Sequence, residues 1–281
     1  MQAPPDLFDH KLLAQRRARA DKIGTKGEFL HREIADQVSE RLEEVNKTFS
    51  NAVVIGPKAK LWTETLGISK IQCVEDRDVL DLIENSLDLV IHGLAMHWAN
   101  DPVGQLVQMR RALKPDGLMI AAMFGGQTLN ELRTSLAEAE TEVEGGLSPR
   151  IAPMGEIRDL GGLIQRAGFA LPVADSINMT VTYETPLHLM RDLRAMGETN
   201  VMHTRRKTPL RREPLMRAID IYTEHVALPD GRIPATFEII YLTGWAPSET
   251  QQKPLRPGSA QTRLADALGI PELNAGEKAK N

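Results

Sequence analysis

Residues 87–124 read LDLVIHGLAMHWANDPVGQLVQMRRALKPDGLMIAAMF, and this stretch decides the fold class. Two apolar runs, at 87–92 and 118–124, have the continuous hydrophobicity of strands that are buried on both faces. Between them Asp101 and Pro102 begin a helix, with the aspartate as N-cap and the proline at the first helical position. The helix is expected to end before a KPDG turn, so the stretch predicts a parallel strand–helix–strand unit.

The residues before this unit extend the same alternation. Apolar residues among charged ones predict helices over 7–20 and 29–45, the second with the spacings of three and four that are typical of an amphipathic helix. Apolar runs at Ala52–Ile55 and Ile71–Val74 predict two further strands with a short helix between them. The lone cysteine, Cys73, excludes an internal disulfide and is expected to be a small buried side chain on the second of these strands.

Beyond residue 124 the pattern is less regular. Thr128 and Glu131 match a capping box at the start of the next helix. Strands are predicted at 173–183 and 236–245, with helices of an insert between them at about 185–228. The whole pattern predicts an α/β fold with a doubly wound, mostly parallel sheet of about six strands, N-terminal helices and a helical C-terminal insert.

The length of 281 residues allows one large domain. We expect N-terminal helices over 1–50, an α/β domain with its helical insert over 51–247, and a loosely ordered tail over 248–281. No linker divides the middle part of the chain, which favours one domain with an insert over two domains.

Composition excludes several classes of protein. The chain carries 34 Lys and Arg against 38 Asp and Glu, a net charge of -4, and its aromatic residues make up only 4%. A dedicated nucleic-acid binder normally has a basic excess and aromatic side chains on which bases stack. No apolar run approaches the roughly 20 residues that span a bilayer, and the first residues lack the basic-then-apolar pattern of a signal peptide. We therefore expect a cytoplasmic protein with no transmembrane segment and no nucleic-acid partner.

Ligands of doubly wound sheets bind in the crevice at the carboxyl ends of the strands, so a nucleotide-like ligand is expected there. No metal site is predicted, because the single His-x-Glu spacing, His31 to Glu33, lies on a predicted helix where the two side chains point apart. The residues expected to bind a cofactor follow three predicted strands and are Gly56, Glu75, Asp76, Gly93, Leu94 and His97.

The order of these elements resembles the class I S-adenosylmethionine-dependent methyltransferase fold, which is Rossmann-like. More specific blocks resemble the complex I assembly factor family of methyltransferase-like proteins, whose mitochondrial member is an arginine hydroxylase acting on a subunit of respiratory complex I. The resemblance covers nearly the whole chain. Its most specific blocks are AMFGGQTLNELR (122–133), AEAETEVEGGLSPRIAP (137–153), RDLGGLIQRAGF (158–169), DLRAMGETN (192–200) and DGRIPATFEIIYLTGW (230–245).

The resemblance implies S-adenosylmethionine as cofactor. Asp76 matches an aspartate that faces the adenine in relatives, and His97 with Trp98 matches an HW pair that lines the site. The loop GPKAK at 56–60 departs from the usual GxGxG pattern, because one glycine remains for close backbone approach and Pro57 has no N–H to donate.

A second departure is the spacing of the first two strands. Ile55 and Ile71 are sixteen residues apart, whereas a βαβ unit usually takes about 30 residues. The strand that carries the acidic residue for the ribose hydroxyls in the family pattern is therefore missing.

Three functions remain open. The first is a protein-modifying or assembly role on a complex I subunit, by arginine hydroxylation or methylation. The second is conventional methylation of a small molecule or carrier-bound acid, as in malonyl-carrier-protein methyltransferases, and the third is a non-catalytic binding scaffold. No catalytic residue is assigned.

The basic stretch 205–217 could dock an acidic partner, and the glutamates at 138–144 could meet an arginine-bearing substrate.

Overall fold

The apolar runs of the sequence form one six-stranded sheet with the strand order β2-β1-β3-β4-β6-β5. The computed structural model describes residues 5–251, so most of the expected tail lies outside the described residues. The strands are β1 (Ala52–Ile55), β2 (Ile71–Val74), β3 (Leu87–Gly93), β4 (Leu113–Phe124), β5 (Ala170–Tyr183) and β6 (Ile233–Trp245). The helices are α1 (His10–Ile23), α2 (Phe29–Glu44), α3 (Ala59–Leu66), α4 (Pro102–Ala112), α5 (Asn130–Glu144), α6 (Ile157–Arg166), α7 (Pro186–Met196) and α8 (Arg212–Val226).

The sheet is parallel in its first half and antiparallel in its second. β1 pairs in parallel with β2 and with β3, and β3 pairs in parallel with β4. β6 is antiparallel to both β4 and β5. The α/β class and the mostly parallel sheet of six strands are thereby confirmed.

Helices cover both faces of the sheet, because successive strand residues point to opposite sides. Val54 of β1 packs with Leu30 of α2 and Ile221 of α8 in one core. Its neighbour Ile55 packs with Leu106 of α4 on the other side. This two-sided burial explains why the central strands are continuously apolar.

Residues 5–247 belong to one compact unit, and residues 248–251 to a second. In the second unit, the backbone N–H of Gln251 donates to the carbonyl of Ser248 over 3.3 Å. Among the described residues, no helix is both long and apolar enough to cross a membrane.

The expectation that Cys73 is buried was wrong. The residue lies on β2 as predicted, but its side chain is exposed. The chain between β1 and β2 holds a single short helix and no strand. In the described part of the chain β2 therefore pairs with β1 alone and forms one edge of the sheet, where Cys73 is exposed.

Two local expectations after α4 were also wrong. β4 begins at Leu113, which pairs with Leu87, so the predicted KPDG turn is part of an irregular strand start. The capping box does not form, since the Thr128 hydroxyl donates to the carbonyl of Glu238 and Glu131 accepts from the hydroxyl of Thr236. Both side chains bind β6 instead of the first turn of α5, which has no side-chain cap.

A close backbone contact holds the N-terminal helices against the insert. A Cβ at Gly27, in the turn Thr25–Gly27, would lie 2.3 Å from the carbonyl carbon and 2.4 Å from the carbonyl oxygen of Ala195 in α7. Only glycine fits between these elements as they stand.

We expect Gly27→Ala to lower the free energy of unfolding by about 1–3 kcal/mol, because backbone atoms must separate to admit the methyl group. The matched control is Gly162→Ala on α6, where a Cβ meets nothing within 4 Å. There we expect a gain of about 0.5–1 kcal/mol from better helix propensity. Urea denaturation measures both, and equal midpoints for the two variants would contradict the packing argument.

Candidate active site at the carboxyl ends of the strands

Gly56 and Gly93 bring the ends of β1 and β3 into direct contact. Gly56 has a φ of 129°, and a Cβ there would lie 2.8 Å from the carbonyl oxygen of Gly93. These two predicted cofactor residues therefore pack against each other at the base of the crevice.

The side chain of Trp62, from α3, occupies the space in front of Gly93. A Cβ at Gly93 would come within 2.7 Å of the indole ring, and Trp62 itself is fully buried. Leu94, another predicted cofactor residue, has a φ of 52° and is also fully buried. The crevice at this point holds protein side chains.

Asp76 is paired with an arginine of the N-terminal helix. The Nη1 atom of Arg17, on α1, lies 2.6 Å from Oδ1 of Asp76, and both side chains are largely buried. The predicted adenine-facing carboxylate is thus engaged inside the protein. Its neighbour Glu75 points to solvent and pairs with Arg77 over 2.8 Å.

The crevice in this conformation does not fit S-adenosylmethionine. Trp62 fills the space next to Gly93, and Arg17 occupies the Asp76 carboxylate that the resemblance assigned to the cofactor. In the GPKAK loop, the side chain of Lys58 pairs with Asp21 over 2.8 Å, so this lysine is also engaged within the protein. Cofactor contact with Gly93 and Asp76 would require the Trp62 ring and the Arg17 side chain to move.

His97 lies in a buried polar cluster with Trp98 and Glu198. Oε2 of Glu198 lies 3.0 Å from Nε2 of His97 and accepts a hydrogen bond of 2.7 Å from Nε1 of Trp98. The His97 and Phe124 ring centroids are 4.7 Å apart, which fixes the imidazole at the end of β4. Burial would raise the pKa of Glu198, but the charge and hydrogen bond of His97 and the charge of Arg17 outweigh it, so the pKa lies below its usual range.

Beside this cluster is an apolar cavity of about 280 Å³, bounded by α5, α7 and the segment between α5 and α6. Of the six predicted cofactor residues, none lines it. The apolar walls are formed by Trp98, Phe124, Leu129, Leu132, Leu136, Ile151, Ala152, Met154, Met190, Leu193, Leu210 and Phe237. The remaining lining residues are Thr128, Arg150, Arg194, Glu198, Thr199 and Asn200.

Several buried polar atoms between the crevice and the cavity have no hydrogen-bond partner. They include Oε1 of Glu198, Nδ1 of His97, both ring nitrogens of His31, and Nε and Nη2 of Arg17. Burial lowers the pKa of His31 to about 4. Within residues 5–251, no group of three or more His, Cys, Asp or Glu side chains is arranged to hold a metal ion.

Two arginines of the basic stretch predicted to dock a partner pair with glutamates of the acidic segment. Arg206 forms a short ion pair with Glu144, and Arg217 lies 2.5 Å from Glu142. Glu140 accepts from the Nε atom of Arg150 over 2.8 Å, and the paired arginine lowers its pKa despite burial. The pairs of Arg206 and Arg217 hold the insert against α5, so these charges are engaged within the fold.

The sequence interpretation missed Trp62, Arg17 and Glu198. Only Glu198 carried a signal, because it lies in the family block DLRAMGETN at 192–200. Arg17 is one of several arginines on its helix, and Trp62 reads as an ordinary core residue of a short helix.

We expect the stability of the fold to fall between pH 6.5 and about 4. His31 and His92 are fully buried and have pKa values of about 4, because burial disfavours the imidazolium, whereas an unfolded histidine titrates near 6.5. The unfolded chain therefore binds more protons in this window, and each histidine costs on the order of 3 kcal/mol across it. Thermal melting at successive pH values measures the slope.

Replacement of the titrating group gives the control. His31→Gln should reduce the slope between pH 4.5 and 6.5 by about half, because His92 still titrates, whereas His225→Gln, at a largely exposed position, should leave it unchanged. Equal slopes for wild type and His31→Gln would show that the buried histidine does not govern acid stability.

Comparison with known proteins identifies the family to which the chain belongs. Residues 29–121 match a family model described as a methyltransferase domain. A mitochondrial arginine-hydroxylase NDUFAF5 from Danio rerio is 37% identical over 296 residues, which cover 96% of this chain and 92% of the relative. The Homo sapiens protein of the same name is 36% identical over 294 residues, 95% of this chain and 85% of the relative.

A second group of relatives bears a different name. A malonyl-[acyl-carrier protein] O-methyltransferase of Halorhodospira halophila is 31% identical over 252 residues, which cover 80% of this chain and 83% of the relative. The match to a methyltransferase domain agrees with the α/β sheet described above. On its identity over nearly the full length of both proteins, the chain belongs to the family of the arginine-hydroxylase NDUFAF5.

Proposed function

We propose that this methyltransferase-like protein takes part in the assembly of respiratory complex I by binding an arginine-bearing segment of one complex I subunit in the apolar cavity. The observation that carries the proposal is the cavity itself. It provides an apolar space next to the carboxyl end of β4, while Trp62 packs against Gly93 in the adjoining cofactor crevice. The relatives' name, arginine-hydroxylase, supports arginine as the residue recognised.

Most residues that line the cavity belong to the sequence blocks that carry the family resemblance. Leu129 and Leu132 belong to the block at 122–133, and Ile151 to the block at 137–153. Glu198 belongs to the block at 192–200. This coincidence supports a family-specific role for the cavity rather than one shared by the fold.

Methylation of a carrier-bound acid remains the second candidate function. The Halorhodospira halophila relative, at 31% identity over 80% of this chain, favours it. That reaction requires a methyl donor in the crevice, so the contact of Trp62 with Gly93 and the pair between Arg17 and Asp76 count against it.

The cytoplasmic location expected from the sequence stays a prediction that cell fractionation can check.

We expect calorimetric titration with S-adenosylmethionine or its demethylated product to give no saturable heat up to millimolar ligand. The physical reason is that binding would have to displace the Trp62 ring and break the ion pair between Arg17 and Asp76. The malonyl-carrier-protein methyltransferase named above serves as a positive control. Micromolar binding by this chain would contradict the filled crevice and favour the second candidate function.

We expect the tagged chain to retain a complex I subunit from detergent-solubilised membranes, and Met190→Trp to reduce recovery about tenfold by filling the cavity. Leu187→Trp is the matched control, because Leu187 lies on the same helix, is 40% exposed and does not line the cavity. Equal recovery with both variants would refute the cavity as the binding site. Mass spectrometry of the retained subunit then shows whether an arginine has gained an oxygen atom or a methyl group.

A further inference from the structure

Glu198 is the one acidic residue among those that line the cavity, and one of its oxygen atoms is unpartnered. We infer that Glu198 selects the occupant of the cavity by pairing with a cationic head group at the end of an unbranched apolar stem. The inference deepens the proposed function, on which it rests for the nature of the physiological partner. It assigns a specificity-determining residue that neither the fold nor the relatives' names identify.

The carboxylate is held in a fixed orientation by its protein partners. Its Oε2 atom accepts from Nε1 of Trp98 over 2.7 Å and lies 3.0 Å from Nε2 of His97. Both contacts involve the same oxygen, so Oε1 remains without a protein partner although the Glu198 side chain is only 5% exposed. A buried oxygen of an ionised group is costly to leave unsatisfied, which marks Oε1 as an acceptor for a ligand.

The charges around the cavity favour a cation at this position. Of the two arginines in the lining, Arg150 is engaged by Glu140, and Arg194 is an exposed residue of α7. The protonatable or cationic groups that act electrostatically on Glu198 are His97, Arg17 and His31, and of these Arg17 is itself paired with Asp76. His31 is fully buried and its pKa is about 4, so it carries no charge at neutral pH and does not neutralise the carboxylate.

The walls define the rest of the ligand. Leu132, Met154 and Met190 offer apolar surface to a flexible stem, and methionine side chains adapt to such a guest. The volume of about 280 Å³ lies just below the range for small-molecule pockets, about 300–1,000 Å³, and suits one long side chain. A planar guanidinium could also meet Oε1 through a charge-assisted hydrogen bond, which is stronger than a bond from a neutral donor.

The test uses small probes, so that it does not depend on complex I. We propose ligand-observed NMR titrations with N-acetyl-arginine amide, with its neutral isostere N-acetyl-citrulline amide, and with the apolar N-acetyl-norleucine amide. Wild type should bind the arginine probe at least about tenfold more tightly than the citrulline probe, given the greater strength of hydrogen bonds to charged groups. The norleucine probe measures what the apolar walls contribute without a head group.

Glu198→Gln removes the charge and keeps an amide oxygen to accept from Trp98. It should abolish the preference for arginine over citrulline and leave norleucine binding within about twofold of wild type. Glu184→Gln is the matched control, since Glu184 is an exposed residue just before α7 and does not line the cavity. Melting temperatures verify that each variant is folded, and Glu198→Asp, which keeps the charge, should retain part of the preference.

Two results would overturn the inference. One is an unchanged preference for arginine in folded Glu198→Gln, and the other is the absence of any preference for arginine in wild type. Neither depends on retention of the complex I subunit. If the subunit is retained while the probes show no charge preference, the proposed function stands and Glu198 is not the selecting residue. If the subunit is not retained while the probes behave as expected, the cation site stands and the physiological partner is a different one.

Discussion

The contact of the Trp62 ring with Gly93 is the constraint on which the rest of the site depends. In a doubly wound sheet the carboxyl ends of the central strands normally frame the ligand crevice. Here α3 is only eight residues long and places its tryptophan against the end of β3. The crevice next to Gly93 is occupied by this side chain, and the apolar cavity lies beside α5 and α7.

The N-terminal helices complete this closure. Arg17 of α1 binds Asp76 at the end of β2, and Lys58 in the loop after β1 binds Asp21 of α1. The close packing of Gly27 on Ala195 holds the same region against the insert. A cluster of buried polar atoms, with Glu198 at its cavity side, lies between the closed crevice and the cavity. The fold of a methyltransferase is thus combined with a site built mainly by its C-terminal half.

The chain has a net charge close to zero but contains one acidic and one basic segment, and residues of the two segments pair in the fold. The acidic face of α5 and the basic stretch after α7 are far apart in sequence, yet Glu142 pairs with Arg217 and Glu144 with Arg206. From the sequence alone, each segment was predicted to contact a separate partner. In the folded chain these two pairs link α5 to the insert, and Glu198 is the acidic group that lines the cavity.

The sequence by itself determined the α/β class, the strands β1 to β4, the alternation with helices and the family, because these depend on local hydrophobic periodicity and on contiguous motifs. It also indicated that the glycine loop was incomplete. Only the tertiary structure decided what fills the crevice, since Arg17 and Asp76 are 59 residues apart and Trp62 reaches Gly93 through packing. The role of Glu198 was hidden for the same reason: an unpartnered oxygen is a property of the groups around it, which no local pattern records.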